Sequence, residues 1–70
     1  MIITVEYEQE ADGRWLAEVL ELPGVLMYGQ TANEALARVQ ALALRVLADQ
    51  IERGECNYAL MSIFFAAAAA

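Results

Sequence analysis

The run from Thr31 to Gly54 decides most of what this chain can become. Thr31 and Glu34 stand at capping-box spacing ahead of an Ala/Leu-rich stretch, and Gly54 follows Arg53 as a C-terminal stop. At about 100° per residue, Leu36, Val39, Ala43, Val46, Leu47 and Ile51 share one face, flanked by Leu42 and Leu44. Glu34, Arg38, Arg45, Asp49 and Glu52 lie opposite. Glu34–Arg38 and Asp49–Arg53 are i,i+4 pairs in the favourable order, worth a few tenths of a kcal/mol each. One long helix with so wide an apolar arc needs a surface to cover. The only material left for it is the extended sequence on either side.

That sequence reads as strands. Residues 2–8 alternate, with Ile3, Val5 and Tyr7 on one side and Ile2, Thr4, Glu6 and Glu8 on the other. Asp12-Gly13 is a hairpin turn signal, and residues 14–20 alternate again. Setting Tyr7 opposite Trp15, Val5 opposite Ala17 and Ile3 opposite Val19 makes one face wholly apolar. The turn Leu22-Pro23-Gly24 follows, and Val25 to Tyr28 reads as a short third strand. Asn57 to Phe65 is the last strand, apolar on both sides, expected to be covered on both faces and to return parallel to an earlier one. The expectation is a single α+β domain, βββαβ, over residues 1–65, with the helix on one face of a small mixed sheet. Ala66 to Ala70 is set apart as a tail, unstructured or artefactual.

Composition narrows the function. Ten acids against four bases give a net charge of −6, and the bases are Arg14, Arg38, Arg45 and Arg53 without a lysine. Nothing here clusters cations as a phosphate backbone requires, so direct nucleic-acid binding is not expected. Histidine is absent and Cys56 is the only thiol, which rules out His/Cys metal sites, Ser-His or Cys-His nucleophiles and an internal disulfide. No signal-peptide pattern opens the sequence and no apolar run reaches membrane-spanning length, so the expected setting is cytoplasmic, without a membrane partner. An apolar share of 60% in a 70-residue chain exceeds what one small core needs and points to association with a second copy, as a dimer or tetramer. Leu42, Leu44 and Val46 are the part of the helix arc assigned to that contact or to the core.

Possible chemistry is thin. Glu6 and Glu8 share a strand face with Glu18 within cross-strand reach, a pattern that two-metal nucleases use. The same acids serve as solvent-facing charges that keep a small sheet soluble and discourage edge pairing, and no basic group accompanies them to hold phosphate. No catalytic, cofactor or metal residues are assigned. Cys56 has no cationic neighbour in sequence to activate it. Trp15 and Tyr7 fit cross-strand core packing better than base stacking, and Thr31 already has its work as a cap. What remains is an acidic domain suited to docking a basic partner, with Glu6, Glu8, Glu10, Glu18 and Glu21 as the contact candidates.

The order of certain words adds a resemblance. Asp12-Gly13-Arg14-Trp15, Ala17-Glu18-Val19, Glu21-Leu22-Pro23-Gly24-Val25, Gly29-Gln30-Thr31 and Glu34-Ala35-Leu36 together resemble the HicB-like antitoxin domain, over residues 2 to 53. Asp12, Gly13, Leu22, Pro23, Gly24, Thr31 and Glu34 are its turn and cap signature here. The resemblance implies a truncated ribonuclease-H-like fold without that enzyme's activity. It also implies an antitoxin of a type II toxin–antitoxin system, whose partner is a small basic RNA-cleaving toxin of HicA type. Longer family members add a DNA-binding domain, which this sequence does not contain. The alternative is an orphan homo-oligomeric scaffold with no toxin partner.

Overall fold

A computed structural model describes residues 2–55 and 63–70. Its elements are β1 (Ile2–Gln9), β2 (Trp15–Val19), β3 (Leu26–Gly29), α1 (Ala32–Glu52) and β4 (Phe64–Ala69). The chain is an α+β domain of βββαβ order: a mixed four-stranded sheet, β3-β2-β1-β4, with one helix against it. β1 pairs antiparallel with β2 and parallel with β4, so the final strand returns alongside the first.

The hairpin register is two residues away from the sequence expectation. Val5 faces Val19, Tyr7 faces Ala17 and Gln9 faces Trp15. A two-residue slip leaves every side chain on its own face, so hydrophobic patterning cannot choose between the registers; only a one-residue slip would invert them. The turn makes the choice. The Glu10 N–H bonds the Arg14 carbonyl at 2.7 Å and the Gly13 N–H bonds that of Glu10 at 3.0 Å. Gly13 has φ +92, giving the three-residue loop that ends on a left-handed glycine. Asp12 stiffens it, accepting from the Arg14 N–H at 3.0 Å and Nε at 2.8 Å. Tyr7 and Trp15 still meet diagonally, with ring centroids 6.2 Å apart.

The core lies between sheet and helix: Ile3, Val5, Ala17, Val19 and Val25 against Ala35, Val39, Ala43 and Leu47. Leu36, Leu42 and Val46 pack around it. Ile51, assigned to the packed face by periodicity, is 47% exposed, and so is Leu44. α1 runs on past the sheet's cover, so its last apolar residues have nothing beneath them among the described residues. The helix ends behave as the sequence dictates. Thr31 Oγ1 accepts from the Glu34 N–H at 3.1 Å, while the Glu34 carboxylate reaches one residue further back than a standard box, to the Gln30 N–H at 3.0 Å. At the other end the Gly54 N–H bonds the Ile51 carbonyl and the Glu55 N–H that of Gln50, the paired closure of a Schellman motif.

β4 departs most from the sequence reading. The strand spans Phe64–Ala69, so four of the alanines assigned to a structureless tail form parallel pairs with β1: Thr4 with Ala66, Val5 with Ala67, Glu6 with Ala68 and Tyr7 with Ala69. Alanine is a weak strand former on its own. The ladder here is made of backbone groups, which any non-proline residue supplies, and β1 offers an unpaired edge of eight residues. The expected strand over 57–62 and Cys56 lie outside the described residues; at its described end the expected cover on both faces is not found, since Phe64 is 65% exposed on the side away from α1.

Candidate functional site: the uncovered face of the sheet

α1 covers one side of the sheet, packing on β3, β2 and then β1. The opposite side carries no element among the described residues, and the strand registers fix its pattern row by row. One row runs Leu26, Glu18, Glu6, Ala68 across β3, β2, β1 and β4; the next runs Tyr28, Leu16, Glu8. Thr4 stands beside Ala66, and Ile2 beside Phe64. An antiparallel sheet commonly leaves one face to water, whereas parallel pairs usually have both faces covered. Here the parallel pair ends in two large apolar side chains in the open: Ile2 and Phe64 are each 65% exposed.

Glu6, Glu8 and Glu18, with Leu16 and Ala70, line a shallow open depression of about 200 Å³ on this face. Glu6 and Glu18 are direct cross-strand partners. Like charges set opposite each other destabilise a sheet, and no salt bridge relieves these three acids among the described residues. Arg14 is committed elsewhere on the same face: Nε lies 2.8 Å from Asp12 Oδ2, and the guanidinium sits 4.2 Å from the centroid of the Tyr28 ring. Arg38 belongs to the helix start, where it pairs with Glu34 at 3.2 Å and donates to the Tyr28 carbonyl at 2.9 Å. The result is an acidic centre flanked by Leu26 and Tyr28 on one side and by Ile2 and Phe64 near one end.

The five acids named from sequence separate into groups. Glu6, Glu8 and Glu18 come together. Glu10 sits in the hairpin turn through its backbone. Glu21 is engaged locally. Its Oε1 accepts from the Thr4 N–H at 2.8 Å, and that hydrogen bond holds the carboxyl below its ordinary pKa. Among the described residues no cluster of three Asp, Glu, Cys or His side chains is arranged to hold a metal ion, and no helix is long and apolar enough to cross a membrane. The apolar flank was the part sequence reasoning missed. Ile2, Leu16 and Leu20 were visible as apolar residues on the polar side of the alternation. Leu26, Tyr28 and Phe64 join them only once β3 and β4 are registered.

Fold and site together define a class: a small α+β domain with one packed and one presented sheet face, the latter acidic at its centre and apolar around it. Comparison with known proteins finds no matching family model, no matching curated protein and no matching solved structure.

Proposed function

We propose that this domain is a protein-binding inhibitor of antitoxin type, acting by occlusion rather than by chemistry of its own. Its partner is a small basic RNA-cleaving toxin of the kind the HicB-like resemblance implies, and its setting is cytoplasmic. One observation carries the reading: among the described residues, Glu6, Glu8 and Glu18 gather without an internal cation on a sheet face that no element covers. A basic RNA-binding surface is built to neutralise closely spaced negative charge. Acids on a pleated sheet, about 5 Å apart across strands and 7 Å along one, present charge at comparable spacing. Leu26, Tyr28, Ile2 and Phe64 add the apolar contact that turns electrostatic encounter into a lasting complex.

The deciding experiment is co-expression with the product of a neighbouring gene for a small basic protein. Growth arrest caused by that protein and relieved by this chain supports the proposal. A neighbour that is harmless, or toxic and not relieved, overturns it.

A further inference from the structure

The two edges of the sheet are not alike. Along β2–β3 the Val19 N–H bonds the Val25 carbonyl, which fixes the odd-numbered pairs as the hydrogen-bonded ones and turns the backbone of Leu26 and Tyr28 outward. That edge is short, and Arg38 occupies the outward Tyr28 carbonyl. On β4 the Ala70 N–H bonds the Tyr7 carbonyl, so even-numbered residues face β1 and the N–H and C=O groups of Phe65, Ala67 and Ala69 point out. No described proline, charge or hydrogen-bonded side chain blunts them. Sheet proteins ordinarily protect such an edge with one of these devices.

We propose that β4 is a self-pairing edge, joining two copies of this chain in antiparallel register about Ala67. In that register Phe65 faces Ala69 of the second copy and Ala67 faces its own equivalent. Every outward group on both strands then finds a partner, and two four-stranded sheets become one of eight. A second copy fits better than a foreign peptide. Strand addition draws its specificity from pockets for alternate side chains, and a strand of alanines has none to offer. It provides instead a flat, in-phase backbone that an identical strand matches under two-fold symmetry. The net charge of −6 does not oppose the union. Corresponding β1 strands lie three strand spacings apart, about 14 Å, so the Glu6 and Glu8 carboxylates of the two copies stay beyond the ~8 Å screening length of physiological salt.

Sedimentation equilibrium across a wide concentration range, with Ala67→Pro and Ala67→Lys beside the parent, tests this edge. The Ala67 N–H points away from β1, so proline there removes an intermolecular donor and no intramolecular one. Lysine places two like charges at the symmetry axis and keeps the backbone intact. Far-UV circular dichroism checks that each variant retains the parent's secondary structure. The parent is expected at twice 7.7 kDa and both folded variants at the single-chain mass. Hydrogen exchange in the parent is expected to slow at Phe65, Ala67 and Ala69 as concentration rises. A parent that stays at the single-chain mass throughout overturns the proposal, and so does a dimer that survives both substitutions. Neither result bears on toxin rescue, which is read independently.

Discussion

Glu21 illustrates how a residue suited to one role is engaged in another. Sequence places it among acids available to a partner, yet its carboxylate closes the sheet end by accepting the Thr4 N–H, a donor that β2 does not reach. That hydrogen bond lowers the carboxyl pKa from its ordinary value, and the Arg14 N–H does the same for Asp12. A carboxylate whose folded pKa is depressed contributes stability that is fully present above its unfolded value and disappears as pH falls through the folded one. The contribution of these two groups is therefore expected to start falling as pH drops into the ordinary carboxylate range and to be gone below their depressed folded values. Glu21→Gln keeps an oxygen acceptor for Thr4 but removes the titration. Thermal melts on stepwise acidification are expected to show a shallower loss of stability for the variant, and parallel curves would refute the assignment.

At the scale of elements, the start of α1 is held by a chain of contacts that begins at Gly29. A Cβ on Gly29 would lie 2.5 Å from the Ala35 backbone nitrogen, so only glycine lets β3 and the first helical turn approach this closely. Gly29→Ala is expected to push the helix off the sheet and cost about 1–3 kcal/mol, measured by urea unfolding; an unchanged midpoint would show that the helix start yields freely. The same region explains what sequence made legible. The Thr31 cap, the Gly54 stop, the Asp12-Gly13 and Pro23-Gly24 turns and the strand faces all follow from local chemistry, and all sit where spacing puts them. The hairpin register did not, because slips of two preserve the pattern and the loop decided between them. β4 did not either, because alanine side chains carry no periodic signal and the strand is specified by the edge it joins. The acidic centre was readable from Glu6, Glu8 and Glu18; its apolar border needed the whole sheet.

For the molecule as a whole, the proposed function makes the acidic centre a trade of stability for recognition. Glu6 and Glu18 repel each other across β1 and β2 with no cation between them among the described residues. Replacing both with Gln is expected to stabilise the isolated domain by a few tenths of a kcal/mol. The same double variant is expected to associate more slowly with a basic partner and with a flatter dependence on salt. Calorimetry of the free domain and stopped-flow binding at several salt concentrations read the two effects separately; a variant that loses stability, or binds with the parent's salt slope, would contradict the trade. The unequal margins of the sheet carry a further consequence. A molecule with two adhesive borders can add neighbours without end and grows into a filament. On the proposed pairing, with Arg38 on the outward Tyr28 carbonyl of the short β3 edge and β4 the open edge among the described residues, each chain has a valence of one, and growth terminates at the pair.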